Sequence, residues 1–100
     1  MKNVKIKVET DEQNLKVQEK VKVLNKEAGR TAWVVYLNDS YGYYHYRDNV
    51  NNRAVCSRWK KYKYLVINKN LDLIICMSED DWKQREEKEV SFEEFMEIQQ

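Results

Sequence analysis

Two apolar segments joined by a short polar connection constrain the fold of this 100-residue chain more than any other feature. They span residues 62–68 (YKYLVIN) and 71–77 (LDLIICM), and both are rich in the β-branched and aromatic residues that favour strands. The connection, Asn68-Lys69-Asn70, contains two asparagines, which tolerate the left-handed backbone conformation of tight turns. The pattern therefore predicts a β-hairpin in the middle of a sheet.

The segment before this hairpin opens with a strand and an ambiguous region. Alternating apolar and charged residues predict a strand over residues 4–8. Residues 13–28 then place apolar side chains at spacings of four, three and four, which is typical of one helical face, and Gly29 follows where a left-handed C-cap residue would lie. Alternation at Leu15, Val17, Val21 and Val23 also fits a strand. We predict a helix over 13–28, with a strand as the alternative.

Further strands are expected in the centre of the chain. Residues 31–37 (TAWVVYL) predict a strand, the turn formers at 38–42 predict a reversal, and residues 43–47 can return as its partner. A shorter strand is predicted over residues 54–59.

The C-terminal fifth has a different character. Residues 79–89 are mostly charged, and Ser91 with Glu94 forms a capping-box pattern that predicts the start of a helix. Together the elements predict the α+β class, with a small antiparallel sheet of about five strands, one helix after the first strand and a short C-terminal helix. The length corresponds to a single domain spanning residues 1–100.

Charge is unevenly distributed along the chain. Residues 1–78 hold 15 Lys and Arg against 8 Asp and Glu, an excess of +7, whereas residues 79–100 hold 3 against 9, an excess of −6. Such asymmetry indicates an interaction surface.

The apolar segments are too short for a membrane span, which needs roughly 20 apolar residues. The N-terminus also lacks a signal-peptide pattern, so we expect a cytoplasmic protein with no membrane partner. Cys56 and Cys76 are then expected to be reduced thiols. Two cysteines and one histidine cannot supply a four-ligand zinc site, and no metal or other cofactor is expected.

Cations and aromatic residues interleave in what we call the basic–aromatic band: Arg53, Arg58, Trp59, Lys60, Lys61, Tyr62, Lys63 and Tyr64. Strand alternation over residues 58–64 would place Arg58, Lys60, Tyr62 and Tyr64 on one face, with the remaining side chains on the other. Three interpretations stay open: an interface for a protein partner, a platform for single-stranded nucleic acid, or a sheet edge protected by lysines.

A second group surrounds the only histidine of the sequence. On a regular strand Tyr43, His45 and Arg47 would share a face, where an arginine and a histidine could bind and cleave a phosphodiester. A strand histidine among tyrosines is the favoured interpretation. Whether the tyrosines of residues 41–46 are core or surface stays open.

Carboxylates cluster near the C-terminus, at Glu79, Asp80, Asp81, Glu86 and Glu87. They have few apolar neighbours in sequence, so desolvation would not raise their pKa values, and a solvated acidic surface is predicted. No residue is assigned a catalytic role.

In general character the chain resembles small accessory proteins of bacteriophages and other mobile elements, anti-CRISPR proteins among them. The resemblance rests on the length, the Lys-, Asn- and Tyr-rich composition and the charged, capped C-terminal helix, and it transfers no site residue. It implies a non-enzymatic inhibitor or regulator of a host nucleic-acid-handling or defence complex, acting by stoichiometric binding to a protein or nucleoprotein partner. The alternatives are a single-stranded nucleic-acid-binding module and a nucleotide or small-molecule binder or phosphodiesterase around His45. A homodimer through an N-terminal edge strand is a further expectation.

Overall fold

The computed structural model describes residues 3–38, 43–50 and 57–98, except for the side chains of Asn38 and residues 43–47. A helical turn at residues 57–59 precedes the fourth strand. The remaining elements, in chain order, are β1 (Val4–Lys7), α1 (Asp11–Glu27), β2 (Trp33–Asn38), β3 (Tyr43–Asn49), β4 (Tyr64–Ile67), β5 (Leu73–Cys76), α2 (Glu79–Lys83), β6 (Lys88–Val90) and α3 (Phe92–Glu97).

The strands form one six-stranded sheet in the order β3-β2-β5-β4-β1-β6. The α+β class, the helix after the first strand and the short C-terminal helix are confirmed. The sheet is mixed rather than antiparallel, because β2 pairs with β5 and β1 pairs with β6 in parallel. The sixth strand, β6, lies in the charged segment for which no strand was predicted.

The predicted central hairpin is confirmed, since β4 and β5 pair antiparallel at the two middle positions of the sheet. In its turn, Asn68 Oδ1 accepts the backbone N–H groups of Asp72 and Leu73, each at 3.0 Å. The residue in the left-handed region is Leu71, with φ of 56°, rather than an asparagine. Its side chain is fully buried, and this burial offsets the cost of the strained backbone.

The ambiguous segment before β2 is a helix. The Thr10 side chain caps it by accepting a backbone N–H of the first turn, and Gly29 ends it with φ of 70°. Val17 and Val21 are fully buried, whereas Val23 is 42% exposed. Burial therefore follows the helical face and excludes the alternating strand pattern.

The sheet separates two apolar clusters. The larger lies on the face covered by α1 and α3, and it includes Ile6, Val17, Val21, Leu65, Ile67, Ile74 and Phe95. The smaller lies on the opposite face and consists of Val35, Val66, Ile75, Met77 and Trp82, with half-buried neighbours. Side chains alternate along β4 and β5, so each strand contributes to both clusters.

The predicted capping box at the start of α3 is present. Ser91 Oγ accepts the Glu94 N–H at 3.0 Å, and Glu94 Oε1 accepts the Ser91 N–H at 3.2 Å. At the other end of α3, Lys20 Nζ from α1 donates to the carbonyls of Phe95 (2.6 Å) and Met96 (2.8 Å). This lysine satisfies carbonyls that a helix C-terminus leaves without intrahelical partners.

Two predictions about strands are wrong. Residues 57–59 are helical, so the strand predicted over 54–59 does not include them, and residues 54–56 lie outside the described residues. The first strand is also not an edge, because β1 lies between β4 and β6. The homodimer expected through an N-terminal edge strand therefore loses its structural basis.

Candidate functional site

The centre of the basic–aromatic band is a helical turn rather than a strand. The Tyr62 N–H donates to the Trp59 carbonyl at 3.2 Å, and β4 begins only at Tyr64. In a helical turn, side chains three apart lie on the same side. Trp59 and Tyr62 are therefore neighbours, whereas strand alternation over 58–64 would separate them. That alternation is wrong because both rings pack against the same face of the sheet.

Trp59 anchors this turn to the sheet. The residue is 2% exposed, and its Nε1 donates to Asp48 Oδ2 at 2.9 Å, near the end of β3. The ring centres of Trp59 and Tyr62 are 5.2 Å apart, and Tyr62 lies 5.4 Å from Tyr36 on β2. Aromatic pairs at such distances are stabilising. The turn is thus fixed by a buried ring, a hydrogen bond and two ring contacts.

Helix α1 also holds this turn, through Asn14 and Asp11. Asn14, which is buried, donates from Nδ2 to the Tyr62 carbonyl at 2.6 Å. Lys63 Nζ donates to the Lys60 carbonyl at 3.1 Å and forms an ion pair with Asp11, which lowers the pKa of that carboxyl. Lys63 of the band is therefore already paired within the chain.

Two other cations of the band point to solvent beside a concave surface. The Arg58 side chain is 68% exposed, and its guanidinium lies 3.6 Å from Asp48 Oδ2. Lys61 is exposed, with its Nζ 5.3 Å from the Tyr62 ring centre. Together with Trp59 these residues line what we call the Arg58 pocket, an open cavity of about 330 Å³. This volume is within the range that accommodates a small ligand or a few side chains.

The basic–aromatic band is not one continuous surface. Tyr62 packs with the larger cluster, but Tyr64 packs with the smaller one on the opposite face, 5.4 Å from the Trp82 ring. Lys60 is half-buried, and Arg53 lies outside the described residues. The structure thus brings Arg58, Trp59, Lys61 and Tyr62 together and separates Tyr64 from them.

The Tyr43, His45 and Arg47 group lies on β3. The pairing with β2 shifts there, since Tyr46 is opposite Tyr36 and Tyr44 is opposite Leu37, which leaves His45 without a counterpart. The side chains of Tyr43, His45 and Arg47 lie outside the described part of the chain. The side chains of the tyrosines in residues 41–46 also lie outside it, so whether they are core or surface stays open.

The predicted acidic surface divides by exposure. The carboxylates of Glu79, Asp80 and Glu86 are on exposed residues, and Asp81 and Glu87 are half-buried. Lys83, at 2.8 Å, and Tyr64 hydrogen-bond to Glu79 and lower its pKa. The expectation that desolvation would not act on these carboxylates is wrong at Glu87, because burial raises its pKa. Hydrogen bonds from Arg85 and from the backbone more than offset this effect, so the net shift is downward. Part of the acidic charge is therefore neutralised locally.

The described residues offer little other material for a chemical site. Cys76 is buried, and burial raises the pKa of its thiol. Cys56 lies outside the described residues. Over residues 3–38, 43–50 and 57–98, no group of three or more His, Cys, Asp or Glu side chains is arranged to hold a metal ion. Within the same ranges, no helix is long and apolar enough to cross a bilayer.

Sequence patterns missed two contributors to the site. Asp48 directly follows the strand predicted over residues 43–47, and no local signal marks it, because the tryptophan that it binds is 11 residues further along the chain. The helical turn did have a signal, since the spacing of three between Trp59 and Tyr62 is typical of one helical face.

Comparisons with protein-family models, curated proteins and solved structures give no match. Function must therefore be argued from the site itself.

Proposed function

We propose that this chain is a non-enzymatic protein that binds a larger protein partner through the Arg58 pocket. The observation that carries the proposal is the combination of exposed cations, Arg58 and Lys61, with a buried aromatic anchor, Trp59. Arginine is among the residues that dominate the energetics of protein interfaces, and Arg58 lies on a turn whose rigid support includes the buried Trp59 ring. Here the support is the hydrogen bond to Asp48 and the packing of Tyr62.

A protein partner fits this geometry better than single-stranded nucleic acid. Stacking on bases requires open ring faces, but Trp59 is 2% exposed and Tyr64 is in contact with Trp82. Binding a phosphate backbone also requires a row of cations, whereas Lys63 is engaged with Asp11. Among the described residues that line the pocket, the exposed cations Arg58 and Lys61 suit a local contact on a folded partner.

We place this binding activity in the cytoplasm, in a phage or mobile-element accessory protein. Its partner would be a host nucleic-acid-handling or defence complex, inhibited or regulated by stoichiometric binding. The resemblance in length, composition and capped C-terminal helix supports this context, and the pocket supplies the binding surface.

The test begins with affinity purification of the tagged protein from host lysate, with and without nuclease. We expect one protein to be retained after nuclease treatment. That protein is then purified, and its affinity is measured by calorimetry for the wild type, for the double variant Arg58→Glu/Lys61→Glu and for the control Lys69→Glu/Lys88→Glu.

The control carries the same change of charge at exposed positions away from the pocket, in the β4–β5 turn and on β6. We expect the pocket variant to bind at least about tenfold more weakly and the control to bind like the wild type. Retention that disappears with nuclease, or equal affinities for both variants, would exclude the proposed interface.

A further inference from the structure

We infer that the Arg58 pocket binds a carboxylate side chain, Asp or Glu, from an acidic segment of the partner. Until the partner binds, Asp48 is the carboxylate that pairs with Arg58. The inference rests on the proposed function and specifies the chemistry of its partner.

The contacts of Asp48 show why a carboxylate of a partner can replace it as the ion-pair partner of Arg58. Asp48 Oδ2 accepts a hydrogen bond from Trp59 Nε1 at 2.9 Å, but it lies 3.6 Å from the nearest guanidinium nitrogen, beyond a good hydrogen bond. Asp48 is therefore fixed by the tryptophan and paired only loosely with Arg58. A guanidinium offers five N–H donors, and a second carboxylate can be bound by two of them side by side.

The charges of the described lining residues favour an added carboxylate. Of the residues that the structure describes around the pocket, Arg58 and Lys61 carry positive charge and Asp48 carries negative charge. The Arg58 side chain is 68% exposed and can reach a partner without unfolding the turn. Lys61 stands over the Tyr62 ring and supplies the second cation. Two cations that face solvent beside a loosely paired carboxylate attract a carboxylate from a partner.

Substitution of Asp48 distinguishes the proposed exchange of carboxylates from non-specific attraction to a basic surface. Asp48→Asn keeps an oxygen that can accept the Trp59 N–H, so the anchor is preserved, and it removes the charge that competes for Arg58. We expect this variant to bind an acidic probe more tightly than the wild type, which few single substitutions do.

The probe is a fluorescein-labelled hexaglutamate peptide, followed by fluorescence anisotropy at low salt. A hexaglutamine peptide and a labelled oligothymidylate of matched charge are measured in parallel. The proteins are the wild type, Asp48→Asn, Arg58→Gln/Lys61→Gln and the control Lys69→Gln/Lys88→Gln, each checked for folding by circular dichroism.

We expect hexaglutamate to bind about fivefold more weakly to Arg58→Gln/Lys61→Gln, about threefold more tightly to Asp48→Asn, and equally to the control and the wild type. Absence of binding to the wild type, equal binding of hexaglutamine, tighter binding of oligothymidylate, or no gain in Asp48→Asn would each overturn the inference.

Failure here is distinguishable from failure of the proposed function. If the purified partner still depends on Arg58 and Lys61 while hexaglutamate does not bind, the interface stands and the acidic chemistry is wrong. If no protein is retained from lysate after nuclease treatment, the proposed function fails whatever the peptide does.

Discussion

Two buried tryptophans, one at each face of the sheet, each lie beside a tyrosine and a cation, but they differ in their hydrogen-bond acceptor and in the exposure of the cation. Trp82 on α2 donates from Nε1 to the Leu65 carbonyl at 3.1 Å, and Lys5 Nζ lies 4.4 Å from its ring centre. Trp59 donates instead to a side chain, Asp48, and the cations beside it are exposed. Each ring also has a tyrosine neighbour.

The difference lies in whether the neighbouring cation is engaged by the fold or exposed to solvent. Lys5 makes two interactions with Trp82, since its Nζ lies over the ring and also donates to the Trp82 carbonyl at 3.1 Å. At Trp59 the buried ring holds a carboxylate, and the cations Arg58 and Lys61 remain oriented toward solvent.

The largest expected effect is shared by both tryptophans. Trp59→Ala and Trp82→Ala should each lower the free energy of unfolding by about 3–5 kcal/mol, because each removes a buried ring and leaves a cavity. Urea denaturation followed by circular dichroism measures this. A cost below about 1 kcal/mol at Trp59 would mean that its ring is not part of the core.

A matched pair of lysine substitutions should separate the two regions. Lys5→Met should lower the free energy of unfolding by about 1 kcal/mol, since it removes both the hydrogen bond to the Trp82 carbonyl and the cation over the ring. Lys61→Met should change it by less than about 0.5 kcal/mol, because Lys61 is exposed. Thermal and urea unfolding provide the values. Equal losses would show that Lys61 is structural rather than available to a partner.

The smallest effect concerns the acidic segment beside Trp82. The pKa of Glu79 lies below the ordinary value of 4.5, so its interactions with Lys83 and Tyr64 stabilise the fold above that pH and are lost as pH falls through the lowered pKa. Lys83→Met should raise the pKa of Glu79 and reduce the loss of stability on acidification. Carboxyl-carbon NMR titration measures the shift. An unchanged pKa would show that Lys83 does not neutralise this carboxylate.

Local signals predicted much of the fold but little of the site. The β4–β5 hairpin, the α1 helix with Gly29 and the Ser91 capping box each depend on neighbouring residues, and all are present. The parallel pairing of β1 with β6 joins opposite ends of the chain, and no local pattern encodes it. The site likewise depends on tertiary contact, because Asp48 reaches Trp59 from a different strand.

The most direct test of the distinction between the two regions is fluorine NMR of protein labelled with 5-fluorotryptophan, with signals assigned by single Trp→Phe substitutions. Saturating hexaglutamate peptide, and then the purified partner, are added to the folded protein. We expect the Trp59 signal to move by more than its line width, because its Asp48 partner changes surroundings, while the Trp82 signal stays in place. Movement of Trp82 with Trp59 unchanged would contradict the assignment of the Arg58 pocket as the binding surface.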